Sequence, residues 1–140
     1  MSIKLIAVGK TTDYETHIAN YIKRLKSPFN LNIKSVPYSD KNQEGNQILK
    51  NVNANEFVIL LDERGEQLDN FSFKDTLVKH PHTTLIIGGA YGVSDAVFSR
   101  ANFTLSLSRL VLPHEIVRLI LVEQIYRSQA IFTNHPYHHT

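Results

Sequence analysis

Short apolar runs recur along this 140-residue chain, and a stretch that reads as helix separates each from the next. Ile3 to Val8, Leu31 to Tyr38, Glu56 to Leu61, Thr83 to Ile87 and Phe103 to Leu107 have the length and β-branched content of strands. Between the first two, Thr12-Asp13-Tyr14-Glu15 is a capping box, a hydroxyl followed three residues later by a carboxylate. It predicts a helix running toward Ser27, which Pro28 helps to stop. Gln43 to Val52 is a second helix, Ser72 caps a third through His80, Ser94 caps a short fourth, and Pro113 opens a long last one. Asp62-Glu63-Arg64-Gly65 reads as a turn. Parallel strands need long crossovers, usually helices, so this alternation predicts an α/β fold. The expected sheet is mostly parallel, of five or six strands, with helices on both faces and a ligand site at the carboxyl ends of its strands.

The length is that of one domain, expected over residues 1–140 and able to bury its core without staples. No cysteine is present, which excludes disulfides, thiolate catalysis and cysteine-ligated zinc. Met1-Ser2-Ile3-Lys4-Leu5 lacks a signal-peptide core, and no apolar run approaches the roughly 18 residues of a membrane span. A soluble cytoplasmic protein without a membrane partner is therefore expected. The net charge of +2 is weak for gripping naked nucleic acid through many phosphates. Its distribution is uneven, with Lys4, Lys10, Lys23, Arg24, Lys26 and Lys34 early and Arg109, Arg118 and Arg127 late, which predicts a patchy basic surface.

The last helix carries Ile116, Val117, Leu119, Ile120, Leu121, Val122, Ile125 and Ile131, more apolar surface than one sheet contact absorbs. The surplus predicts a homodimer interface. Gly9-Lys10-Thr11 follows a strand, but a P-loop needs a glycine where Lys4 stands, so the segment is a strand-to-helix turn with Thr11 or Thr12 as cap. Gly88-Gly89-Ala90-Tyr91-Gly92 lacks the dinucleotide spacing; its glycines either permit a tight turn or let a ligand approach backbone N–H groups. Leu107 to Leu112 is either a plain connector or a loop whose backbone reads a flat heterocycle. His114, Arg118 and Arg127 have the ordinary reading of solvated helix-face residues. His135, His138 and His139 lack a carboxylate cluster, so no metal site is expected. Pro136 stiffens the chain ahead of Tyr137 and His138, aiming an aromatic ring and a proton-exchanging imidazole together.

In their order along one chain, these segments resemble the ribosomal RNA large subunit methyltransferase H family, small enzymes of the SPOUT superfamily. The resemblance runs through Ile3 to Lys10, Leu60 to Gly65, Ile86 to Gly92, Leu105 to His114, Val117-Arg118, Glu123 to Arg127 and Pro136-Tyr137-His138. It implies a single-domain α/β knot with a deep C-terminal trefoil, and a homodimer. It further implies S-adenosylmethionine-dependent methylation of N3 of a pseudouridine in large-subunit (23S) ribosomal RNA, at the position equivalent to 1915 in helix 69. Cofactor contacts carry over onto Leu61, Gly88, Gly89 and Leu107-Ser108-Arg109-Leu110-Val111-Leu112. His138 is then expected to help remove the N3 proton and Tyr137 to order the base, while Arg118, Arg127 and His139 meet RNA or, for the arginines, the dimer seam. Two features depart from the family pattern: Tyr91 stands where an acidic residue is common, and the chain ends in His139-Thr140 where a lysine or arginine is usual. A knotted RNA-binding module without turnover is the alternative from another class.

Overall fold

The computed structural model describes residues 1–10 and 13–139. Its strands are β1 (Ser2–Val8), β2 (Leu31–Val36), β3 (Phe57–Glu66), β4 (His82–Ile87) and β5 (Phe103–Leu105). Its helices are α1 (Glu15–Arg24), α2 (Lys41–Lys50), α3 (Asn70–Lys79), α4 (Asp95–Arg100) and α5 (His114–Phe132). The strands form one sheet in the order β2-β1-β4-β3-β5, and every neighbouring pair is parallel. Five parallel strands with intervening helices are what the alternation predicts.

Strand side chains point alternately to opposite faces, so two separate cores follow from the runs themselves. Ile3, Leu5, Ala7, Ile59, Leu85 and Ile87 pack with Ile18, Leu25, Phe73, Leu77, Leu121 and Ile125, which places α1, α3 and α5 on one face. Ile6, Val8, Val58, Leu60 and Ile86 pack with Ile48 and Val97, which places α2 and α4 on the other. No helix among the described residues is long and apolar enough to cross a membrane.

Three helix starts show their caps. Asp40 accepts the N–H of Gln43 at 2.9 Å, Asp69 that of Ser72 at 2.8 Å and Ser94 that of Val97 at 3.4 Å, each worth about 1 kcal/mol. Ser94 is the expected cap, whereas Ser72 is not: Asp69 takes that role and Ser72 sits inside the first turn. Helix α1 starts at Glu15 with Tyr14 at its N-cap and no side-chain cap bond. The expected caps Thr11 and Thr12 lie outside the described residues.

The largest departure from the sequence reading lies in β3. Asp62-Glu63-Arg64-Gly65 does not end the strand; pairing with β5 shifts register between Leu61 and Glu66 and then resumes. The Asp62 carboxylate folds the bulge by accepting the N–H of Arg64 at 2.8 Å and its side-chain Nη2 at 2.8 Å. Gly65 is required there because a Cβ would strike the backbone of Thr104 and come within 2.9 Å of the Leu105 nitrogen.

Candidate functional site

The carboxyl ends of β4, β3 and β5 lie side by side, and a cavity of about 690 Å³ opens above them. Leu61 enters it from β3, Gly88 and Gly89 from the turn after β4, and Leu107, Ser108, Leu110, Val111 and Leu112 from the segment after β5. Eight of the nine expected cofactor positions thus converge from three separate stretches of chain. The ninth, Arg109, turns away from the cavity: its Nη1 donates to the carbonyls of Glu63 and Gly65, both at 2.8 Å. It clamps the segment after β5 onto the β3 bulge.

The glycine turn is closed by a backbone bond and packed tightly at two of its three glycines. Gly92 sits at φ +85°, a conformation other residues rarely adopt, and its N–H donates to the Gly89 carbonyl at 3.0 Å. A Cβ on Gly88 would come within 2.6 Å of Val93 Cγ1, and one on Gly89 within 2.9 Å of Glu44 Oε1. Glu44 is buried, and its other oxygen accepts the N–H of Ser39 at 2.9 Å. Side chains at these two positions would strike packed neighbours, so the turn needs glycine there, and the backbone of both lines the cavity. Beyond the expected residues, Asp62, Tyr91, His114 and Val117 also line it. The Arg64 guanidinium holds the Asp62 carboxyl below the ordinary carboxylate value.

The C-terminal pair docks elsewhere. Tyr137 donates its hydroxyl to Glu123 Oε2 at 2.6 Å, stands 3.2 Å from the Tyr21 hydroxyl, and packs edge-on against Tyr126 with centroids 4.8 Å apart. Burial, followed by the bond to Glu123, pushes the Tyr137 hydroxyl far above the ordinary phenol value, so it remains a donor at neutral pH. Arg127 lies over the Tyr137 ring at 4.8 Å, binds Glu123 at 2.7 Å, and places Nη1 3.1 Å from His138 Nδ1. Arginine only donates, so Nδ1 accepts and the proton of the neutral ring is on Nε2, which is buried with no partner among the described residues. Glu123 received no role from its residues alone, although its i,i+4 spacing to Arg127 is a sequence signal for this pair.

Along α5, Val117 at the cavity and Glu123, which Tyr137 binds, are separated by roughly 9 Å of helix rise, and neither tail residue lines the cavity. Within one chain, therefore, Tyr137 and His138 do not meet the cavity. Arg118 is not a solvated helix-face residue either: it is 8% exposed, and its Nη2 donates to the Gly9 carbonyl at 2.6 Å. Desolvation lowers its pKa from the ordinary arginine value. It pins the turn after β1 rather than standing free for a phosphate, whereas His139 is exposed. Among the described residues no group of three or more His, Asp or Glu side chains is placed to hold a metal ion.

A parallel α/β sheet with a glycine-lined cavity at its carboxyl ends defines a ligand-binding α/β protein. Comparison with known proteins narrows that class. A family model described as "Predicted SPOUT methyltransferase" matches residues 1–138. The chain is similar to the ribosomal RNA large subunit methyltransferase H of Acholeplasma laidlawii, 40% identical over 152 residues, and covers 99% of each. It is 39% identical over 153 residues to that of Dictyoglomus thermophilum, at 99% and 100% coverage, and 37% identical over 156 residues to that of Christiangramia forsetii, at 99% of each. The chain belongs to the ribosomal RNA large subunit methyltransferase H family of SPOUT methyltransferases.

Proposed function

We propose that this protein methylates N3 of a pseudouridine in large-subunit (23S) ribosomal RNA, at the position equivalent to 1915 in helix 69, using S-adenosylmethionine. The observation that carries the reading is the 690 Å³ cavity in a chain of this family, lined by open glycine backbone and apolar leucines. That lining fits the cofactor: Leu61, Leu107 and Leu112 offer apolar walls to a flat heterocycle, and the backbone of Gly88, Gly89, Ser108, Leu110 and Val111 offers polar edges. Arg109 acts through its carbonyl clamp, holding that loop in place. S-adenosylmethionine supplies an electrophilic methyl group; the protein supplies alignment and exclusion of water.

The protein works in the cytoplasm as a homodimer, with its C-terminal segment threaded as a trefoil knot. Dimerisation matters for the chemistry because Tyr137 and His138, docked against α5, do not line the cavity of their own chain. A second copy brings one protomer's tail to its partner's cavity. There the Tyr137 hydroxyl, kept protonated by burial, turns its single proton from Glu123 to a carbonyl of the base and orders it. His138 accepts the N3 proton at Nδ1 once the ring leaves Arg127, which then turns with His139 toward RNA phosphates. The +2 net charge supports use of assembled ribosomes, where shape adds contacts, over free RNA.

Methyl transfer to ribosomes lacking this modification tests the reading. His138→Ala and Tyr137→Phe are expected to lower kcat by about 100-fold or more, within the usual range for a lost proton-transfer group. The S-adenosylmethionine Kd, measured by calorimetry, should stay within twofold of the parent. Parent-like turnover in both variants would remove the tail from the mechanism, and a parent chain that fails to bind S-adenosylmethionine would sink the enzyme reading itself.

A further inference from the structure

Tyr91 is the most exposed of the large apolar side chains among the described residues, at 88%. It stands at the rim of the cavity, on the turn between Gly89 and Gly92, and neither its ring nor its hydroxyl has a bonding or stacking partner among the described residues. The backbone that carries it is not loose. The Gly92 to Gly89 bond closes the turn, Gly88 is packed against Val93, and Gly89 is packed against the buried Glu44. A bonded turn, packed at Gly88 and Gly89, thus presents an aromatic ring to solvent. Leu110 and Val111, from the segment after β5, line the same cavity and are 74% and 80% exposed. The rim is therefore apolar on both of these segments, and a flat apolar partner would recover surface that a single chain leaves in water on folding.

Resting on the proposed RNA substrate, we infer that Tyr91 is a stacking platform for a nucleobase that flanks the methylated one. Stacking suits this position because it needs a ring face and no hydrogen-bond partner, and a tyrosine loses little side-chain entropy when it orders. It also suits the charge balance. At +2 the protein has few phosphate contacts to draw on, so base stacking supplies affinity that electrostatics does not. Tyr91 acts on binding of the RNA, not on the cofactor.

The test measures methyl transfer to assembled ribosomes, S-adenosylmethionine affinity and dimerisation for Tyr91→Ala, Tyr91→Phe and Tyr91→Trp. A lost stack raises the KM for ribosomes on the order of 10- to 100-fold in Tyr91→Ala. Saturated kcat, cofactor Kd and sedimentation should match the parent, and Tyr91→Phe and Tyr91→Trp should restore KM because each keeps a ring. Four results would overturn the assignment: an unchanged KM in Tyr91→Ala; Tyr91→Phe as poor as Tyr91→Ala, which makes the hydroxyl the active feature; a cofactor Kd that weakens in step with KM, which makes the ring a cofactor lid; or dissociation of the dimer, which makes it a subunit contact. A parent enzyme inactive on ribosomes would instead fail the RNA reading and take this one with it, a result distinct from an active parent with an indifferent Tyr91→Ala.

Discussion

At the amino end of the sheet, polar side chains engage one another closely; at the carboxyl end, ring and aliphatic surface is left to solvent. Glu56, just before β3, accepts from Lys4 at 3.0 Å, from Thr84 at 2.9 Å and from the Asn53 N–H at 2.5 Å. Arg100 donates to the carbonyls of Asn53 and Glu56, and Asn102 accepts the N–H of Val58 at 2.8 Å. Phe57 and His80 stack at 3.7 Å beside this network. The opposite end has glycine backbone and the exposed Tyr91, Leu110 and Val111 around an open cavity. Since a buried polar group costs stability unless paired, the closed network reads as scaffold and the open end as the part kept for a ligand. Substitutions at the two ends should therefore separate stability from binding.

The largest separation is expected from Gly89→Val. The first added carbon comes within 2.9 Å of Glu44 Oε1 and 3.4 Å of Val8 Cγ1, so the branch forces the turn off its seat and displaces the Gly89 backbone that lines the cavity. Calorimetry should show S-adenosylmethionine binding weakened by about 100-fold or more, near 2.7 kcal/mol. Thermal unfolding should show a smaller loss, on the order of 1–3 kcal/mol for overpacking. Intact binding with a large stability loss would erase the distinction between the two ends.

Glu56→Gln is the reciprocal case. It leaves Lys4 without its carboxylate in a partly buried site, at a cost of about 2–3 kcal/mol by urea unfolding at neutral pH, with the cofactor Kd unchanged. The pH dependence sharpens it. Burial is the largest single influence on the Glu56 carboxyl and pushes it up, but the Asn53 N–H, Lys4 and Thr84 together hold it below its ordinary 4.5. A folded-state pKa lower than the unfolded one adds stability that is present above about 4.5 and is lost as pH falls through the folded value. Parent stability should therefore drop in that acid window, and Glu56→Gln should lack this component of the drop. Identical acid slopes would remove Glu56 from the network.

The two ends also differ in how far the sequence discloses them. Period-two runs such as Ile3, Leu5 and Ala7 against Ile6 and Val8 announce both cores, because pleating alone assigns them to faces. Strand order is not announced: β4 inserts between β1 and β3 through contacts that no local pattern encodes. Asp62-Glu63-Arg64-Gly65 has the residues of a turn, yet Asp62 folds it into a bulge and Gly65, lacking a Cβ, lets the backbone approach Thr104 so that the strand continues. Arg118 was readable after all, since its spacing to Leu121, Val122 and Ile125 puts it on the buried stripe of α5. The docking of the tail was not, for Tyr137 finds Tyr21 across 116 residues.

The finest discrimination falls on Arg109, which belongs to the cavity by sequence and to the scaffold by contact. Its guanidinium bridges the carbonyls of Glu63 and Gly65, so Arg109→Ala frees the loop without removing any cavity wall. The group is exposed, and such bonds in water are worth about 1 kcal/mol or less. A loop that must then be ordered on binding should weaken the S-adenosylmethionine Kd by about 5-fold, leave saturated kcat unchanged, and lower unfolding stability by under ~1 kcal/mol. Arg109→Lys should recover part of the affinity, since a single nitrogen makes both bonds and an ammonium can donate to two carbonyls, though from a more flexible and more strongly hydrated stem. A loss as large as that of Gly89→Val, unrelieved by lysine, would mean that the guanidinium swings over to touch the cofactor and that the clamp is only its resting place.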